Sequence, residues 1–364
     1  MTPVTADTRP VRPGEELDAA RLEPWIRERL PDLSAGPLEI EQFPGGHSNL
    51  TYLLRLGDGE LVLRRPPFGS KVKTAHDMGR ELKVLSHLQG YYSKAPRTLA
   101  GCDDPEVIGA PFYLMERVRG VILRDQRAPA GLDLPPERMR ALGEAVVDGL
   151  AELHAVDYRA AGLADFGRPD GYLERQVAGW RQRWEGSRTD EVPDVERAAS
   201  WLASHMPPGR PLAEAALVHN DYKYDNVVFA PDLSRIVAVL DWEMATLGDP
   251  ILDLGTSLGY WIDPDDDPAL RILPAGPTTL PGNLRRAEVV ERYARATGRD
   301  VSDIVFHYVF GLFKIAVIAQ QIYYRFQQGL TQDPRFAAML PAVRLLGRTA
   351  VQAIDKGRID RLSA

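Results

Sequence analysis

The hydrophobic pattern of this chain changes period near Gly120, and that change restricts the fold more than any single residue does. Between Leu38 and Val118 the apolar residues fall in short alternating or continuous runs: "LEIEQF", "NLTYLLRL", "ELVLRRP" and "PFYLMERV". Runs of that length and period are strands. "GDG", Gly57 to Gly59, separates the second from the third and predicts a tight hairpin. One helical segment interrupts them, "TAHDMGRELKVLSHLQG", and it stops at Gly90. Beyond Gly120 the apolar spacing becomes three to four residues, as in "PPERMRALGEAVVDGLAELHAV", "GYLERQVAGWRQRWEGSR" and "LRRAEVVERYARATG". The expectation is an α+β chain in two lobes. Residues 35–118 form a small β-rich lobe of about five strands with one helix, and residues 119–364 a larger, mainly helical lobe. Residues 1–34 precede them as an extension with its own helix, "EELDAARLEPWIRERL".

One segment imitates a membrane span: "DIVFHYVFGLFKIAVIAQQIYYRF", Asp303 to Phe326. Lys314 sits at its middle, and a central Lys in lipid costs about 3 kcal/mol on insertion scales. A buried core helix is therefore expected. The net charge of −7 argues against broad nucleic-acid or anionic-membrane binding. The single cysteine, Cys102, has no internal disulfide partner, and no Cys/His spacing suggests zinc. The first twenty residues contain no apolar signal core. A soluble, cytoplasmic protein follows as the expectation, with its oligomeric state open.

"LVHNDYKYDNVVF", Leu217 to Phe229, then stands out, because it crowds His, two Asp, Lys and Asn between two apolar runs. An ordinary hairpin turn gains nothing from that set. Phosphoryl transfer from ATP needs a base for the acceptor hydroxyl, oxygen ligands for Mg2+ and cations on the phosphates. In the kinase catalytic loop the base lies five residues before a metal-binding Asn, with His two before the base. His219, Asp221 and Asn226 have that spacing, and the next strand ends in a second acid, Asp241. An amide and a carboxylate are hard oxygen ligands that suit magnesium. Lys223, two after Asp221, is placed to neutralise the transferred group.

"HNDYKYDN" followed by "VLDWEMATLGDPILDLG" resembles the aminoglycoside phosphotransferase-like (APH/choline kinase-type) small-molecule kinases, closest to the branch of kinase-like domains fused to some acyl-CoA dehydrogenases. The resemblance runs from about Leu38 into the C-terminal helices. It implies a bilobal protein-kinase-like fold that binds ATP, with Asp221 as base and Asn226 and Asp241 as magnesium ligands. Asp249 and Asp253, in "GDPILDLG", match acids that mainly brace the catalytic loop, and helix capping is an equally good account of them. Two departures are visible. Most aminoglycoside kinases carry Lys where this chain has Arg, and Asn220 stands where the family often has Gly.

In the β-rich lobe, Met78, Leu82, Leu85 and Leu88 define one helix face with Glu81 near its centre, while Arg80 and Lys83 point away. A carboxylate there requires a cation. "LVLRRPP" offers Arg64 or Arg65, and Arg64 shares a strand face with Val62. "FPGGHSNLTYLL" resembles a nucleotide loop, with Ser48 in reach of a phosphate, and the backbone from Glu116 to Val118 is the expected adenine-binding hinge. The reading is an ATP-dependent kinase of a small hydroxylated molecule. The acceptor is a hydroxy acid or hydroxyacyl thioester before an aminoglycoside, and Arg175, Arg181 and Arg183 are candidates to meet an anion. A nucleotide-binding module without turnover is the alternative. His154, Trp180 and Trp184 are expected in the core, and Asp265 to Asp267 in a solvated part of the Pro/Gly/Asp-rich loop Asp263 to Gly282.

Overall fold

The computed structural model describes residues 7–33, 36–44, 49–68, 77–129, 131–273, 275–331 and 333–363. The chain forms two compact units, one of residues 1–120 with 237–245, the other of 121–236 with 246–364.

The first unit is built on a five-stranded antiparallel sheet: β1 (Leu38–Gln42), β2 (Leu50–Leu56), β3 (Gly59–Arg65), β4 (Thr98–Cys102) and β5 (Phe112–Glu116), in spatial order β1-β2-β3-β5-β4. Leu56 pairs with Gly59, so Gly57 and Asp58 form the tight turn that the sequence predicts. The period-2 pleat divides the side chains between two faces. Tyr52, Leu54, Leu61, Leu63, Phe112 and Leu114 pack on one face against α1 (Ala19–Arg29), whose Leu22, Trp25 and Ile26 are buried. Trp25 meets Phe112 edge-on at 4.8 Å. The N-terminal helix is thus part of this unit's core. The helix α2 (Met78–His87) buries Met78, Glu81, Val84 and Leu85, and a short α3 (Pro105–Ile108) follows β4.

The second unit is mainly helical. It contains α4 (Pro136–His154), α5 (Tyr172–Ser187), α6 (Pro193–Ser204), α7 (Pro250–Gly259), α8 (Arg286–Thr297), α9 (Ile304–Gln327) and α10 (Met339–Lys356). The short strands β6 (Ala216–Val218), β7 (Val227–Phe229), β8 (Ile236–Val239) and β9 (Thr246–Gly248) interrupt them, and the chain passes from one unit to the other inside β8. β6 pairs antiparallel with β9, which sets the loop after β6 beside the start of α7.

The membrane-like segment is α9, and most of its apolar window is buried within the protein. It crosses α7 at very close range. A Cβ on Gly255 would fall 2.3 Å from the His307 carbonyl oxygen, and one on Gly311 only 2.2 Å from that of Gly255. Two glycines therefore fix how near these helices lie.

The Asp/Pro/Gly-rich loop differs from its expectation. Asp263 and Asp266 are buried against Arg286, itself 1% exposed, whose guanidinium also donates to the carbonyls of Trp261 and Ile359. Asp265 pairs with Arg285 at 3.0 Å, and Asp267 caps a 3-10 turn. Of the Asp265 to Asp267 run, Asp266 is drawn inside because a buried guanidinium must be matched by acids, whereas Asp265 stays exposed as expected.

Candidate active site

In the first unit, the alternation of β3 decides between its two arginines. Arg65 falls on the α1 face, where its Nη1 donates to the Ile108 carbonyl at 3.0 Å. Arg64 falls on the other face, with Nε 3.4 Å from Glu81 Oε2 and Nη2 donating to Asp241 Oδ1 at 2.9 Å. Burial alone would weaken the Arg64 charge, but Glu81, Asp241 and Glu243 hold its pKa well above the ordinary value. Glu81 is 1% exposed, and burial pushes its carboxyl up against the pull of Arg64.

Arg64, Glu81 and Asp241 are thereby brought together, and the turn carrying Asp241 is gripped from several sides. Glu81 Oε1 accepts from the Trp242 amide at 3.2 Å, and Asn49 Nδ2 donates to Glu243 at 2.7 Å. Arg80 does not point away as its helical position predicts. Its guanidinium reaches the Ala245 carbonyl at 3.1 Å, because the turn returns alongside the first turn of α2. Asp241 itself has φ 67°, a left-handed conformation that a non-glycine residue holds only when its surroundings impose it.

The other nucleotide-side residues divide. Glu116 ends β5, and its amide is committed to the Arg97 carbonyl at 2.9 Å, which removes that donor from the expected hinge. Val118 lies just beyond the strand. Ser48 lies outside the described residues.

In the second unit the loop after β6 gathers most of its expected members. Asp221 receives two bonds from Lys223 Nζ, at 2.9 and 2.8 Å, and one from Asn226 Nδ2 at 2.9 Å. Asn226 Nδ2 also donates to the Asp221 carbonyl at 2.8 Å, so both of its contacts are made by the amide nitrogen and its carbonyl oxygen is directed elsewhere. Burial would strip the proton from Lys223, but Tyr260 and Asp221 outweigh it and keep the ammonium charged. Tyr260, over whose ring Lys223 sits at 4.6 Å, is coupled to Asp221 as well.

Asp253 holds the loop from beneath. It is fully buried on α7, accepts from the amides of His219 at 2.7 Å and Asn220 at 2.8 Å, and lies 3.1 Å from His154 Nε2. Burial pushes its carboxyl up, yet His154 and His219 outweigh this and hold it below the usual carboxylate value. His154 is a core residue, and it bridges Asp253 to the Tyr293 hydroxyl at 2.7 Å. His219 Nδ1 accepts from the Asp221 amide at 3.3 Å. Asp249 stands apart from this cluster. It caps α7 through the Ile251 amide at 2.8 Å, and His307 and Arg210 draw its pKa down against burial.

Asn220, with φ 66°, takes the left-handed conformation that explains why glycine suits this place. Its contacts include three that hold it in place. Tyr172 donates its hydroxyl to Asn220 Oδ1 at 3.0 Å, Asp253 holds the amide, and Lys314 Nζ donates to the carbonyl at 2.6 Å. Tyr172 reaches the loop across Gly248, where a Cβ would come within 2.6 Å of its ring. Tyr172, Tyr260 and Lys314 carry no local motif. Only Lys314, an ammonium in an otherwise apolar helix, gives a signal in the sequence. Trp180 and Trp184 are buried, and Lys314 lies 5.6 Å from the centre of the Trp180 ring. Among the anion candidates, Arg175 donates to the carbonyls of Asp170 and Arg168, whereas Arg183 is exposed over Trp180.

Among the described residues, no three His, Cys, Asp or Glu side chains form a metal-binding group. The Asn226 amide oxygen and the Asp241 carboxylate are hard donors of the kind magnesium takes, one or two at a time, with phosphate and water completing its shell.

The model of the phosphotransferase enzyme family, APH, matches residues 39–298. Acyl-CoA dehydrogenase family member 10 of Mus musculus is 36% identical over 88% of this chain and 29% of its own length. Member 11 of Gallus gallus is 33% identical over 90% of the chain and 42% of its own length. The chain thus spans less than half of these relatives. A crystal structure from Ralstonia eutropha JMP134, provisionally named an aminoglycoside phosphotransferase, has 32% identity and a TM-score of 0.79 over 94% of this chain and 99% of its own. The chain belongs to the phosphotransferase enzyme family, whose members act on hydroxyl groups of small molecules, and it has that family's kinase-like fold.

Proposed function

We propose that this protein is an ATP-dependent kinase of a small hydroxylated molecule. The observation that carries the reading is the Asp221 loop. A fully buried Asp253 fixes two of its amides, and Lys223 and Asn226 both meet the Asp221 carboxylate. Asp221 accepts the proton of the acceptor hydroxyl as its oxygen bonds to the γ-phosphorus of ATP and the bond from that phosphorus to the bridging oxygen breaks, releasing ADP. Lys223 has two anions to serve, the Asp221 carboxylate and the phosphoryl group in transfer, and its charge is secured against burial. Asn226 and Asp241 are the residues that would hold magnesium, which would neutralise charge on the phosphates. Arg64, oriented by Glu81, positions the phosphates, and Ser48 and the Glu116–Val118 segment belong to nucleotide binding. His219 and Asp253 support the loop, and Asp249 serves it at one remove by capping α7, the helix that carries Asp253.

A hydroxy acid or hydroxyacyl thioester is the acceptor we favour. The relatives are acyl-CoA dehydrogenase family members, and Arg183 is an exposed cation on α5, which suits an anion better than a polycationic sugar. Asp221→Ala is expected to lower turnover about 10²- to 10⁴-fold with Mg-ATP affinity nearly unchanged. Turnover equal to that of the parent would remove Asp221 from the chemistry. A phosphate-transfer screen over hydroxy acids, hydroxyacyl-CoAs and aminoglycosides tests the acceptor. Nucleotide binding without transfer to any of them would favour a binding module instead.

A further inference from the structure

Lys314 is 2% exposed in the middle of an apolar helix, and its one hydrogen bond goes to the carbonyl of the residue before Asp221. A buried ammonium is costly, and a methionine would fill the same space without that cost. The charge is therefore retained for something other than packing. The backbone it touches, at φ 66°, is also held by the Asp253 carboxylate on the amide and by the Tyr172 hydroxyl on the side chain. Among these three, the Lys314 contact alone acts on the Asn220 carbonyl, the group that belongs to the peptide leading into Asp221.

We propose that Lys314 is a positioning residue that acts through Asn220: its ammonium latches the left-handed backbone there and so aims the Asp221 carboxylate. The latch loosens when the ammonium gives up its proton. This rests on the role of Asp221 proposed above. The charged groups facing Lys314 are Asp221 and Lys223 on the loop, Asp253 on α7 and Arg183 on α5. Burial lowers its pKa to about 8, the two acids resisting and the two cations assisting. The folded protein then loses this proton at a lower pH than the unfolded chain does. Raising the pH from about 8 towards the ordinary 10.5 consequently relieves the cost of burial and favours the fold, while the bond to Asn220 weakens. Loop order and stability move in opposite directions, which no purely structural lysine would produce.

The test uses the full chain with Lys314→Met and Lys314→Gln, the latter keeping a donor without charge. Protection factors for the Asn220 and Asp221 amides are measured by hydrogen exchange from pH 7 to 9.5, beside Tm and ATP hydrolysis in Mg-ATP. In the parent, loop protection and kcat fall across this range while Tm does not. In Lys314→Met, protection at the two amides falls and kcat drops roughly 10- to 100-fold, with KM for Mg-ATP within about two-fold. Lys314→Gln restores part of both and removes their pH dependence. Unchanged loop protection in Lys314→Met, or a loss of kcat matched by a loss of Tm that Gln does not rescue, overturns the proposal. If the parent neither binds nor hydrolyses Mg-ATP, the kinase reading fails, and the exchange data still decide whether Lys314 orders the loop.

Discussion

The Asp241 turn and the Asp221 loop solve one problem by different means. Each presents a carboxylate beside a left-handed residue that is not glycine, at Asp241 and at Asn220. In the first unit one buried guanidinium is shared among three acids, Asp241 at 2.9 Å, Glu81 at 3.4 Å and Glu243 at 3.9 Å, and one turn amide, that of Trp242, meets a carboxylate at 3.2 Å. In the second unit the loop is held by short bonds from its own backbone to one buried acid. A guanidinium shared among three acids can redistribute when an ion or phosphate arrives, whereas two successive amides on one buried carboxylate define one geometry. An adjustable turn suits the metal-binding role proposed for Asp241, and a fixed loop the role of base proposed for Asp221.

The strongest way to break this comparison is Asp253→Ala, which leaves two loop amides and His154 without their acceptor. A loss of about 3–5 kcal/mol in urea unfolding is expected. A loss under about 1 kcal/mol would mean that the loop is not fixed from beneath. Gly311→Ala comes next, since the new methyl group meets the Gly255 carbonyl. It should cost roughly 1–3 kcal/mol and reduce protection of the Asn220 amide, because α9 cannot approach α7 as before. The smallest effect sharpens the contrast by pH. The Asp253 carboxyl lies below its ordinary 3.8, so its stabilisation is present above that pH and lost as pH falls through the lower folded value. The Glu81 carboxyl is raised above 4.5, so its contribution is fully present below 4.5 and lost as pH rises through the higher folded value. On acidification, exchange protection should fall at the His219 and Asn220 amides before it falls at Trp242. The reverse order would count against the assignment of the two clasps.

The sequence makes the strands of the first unit legible where the apolar runs are long, as in β2 and β3. It leaves β4, "TLAGC", unread, because small residues give a pleated strand no periodic signal. Period 2 also distinguishes Arg64 from Arg65. The helix α7, "PILDLGTSLG", reads poorly because its glycines answer to the backbone of α9, a neighbour far away in the chain. The chemistry of the Asp221 loop lies within eight consecutive residues, His219 to Asn226, and is readable there. What steers the loop is not, since Tyr172 and Lys314 approach Asn220 from 48 and 94 positions away. Burial is also invisible in a loop such as Asp263 to Gly282, whose acids are decided by Arg286.

The first unit is discontinuous: residues 121–236 intervene before 237–245 complete it. On a ribosome, the stretch that carries Asp241 emerges on the order of ten seconds after Gly120. Until then the Arg64 and Glu81 side chains wait without the turn that they later clasp. A fragment ending at Gly120 would therefore be a nascent intermediate and not a miniature of the unit, because it would lack the turn that Arg64 and Glu81 hold.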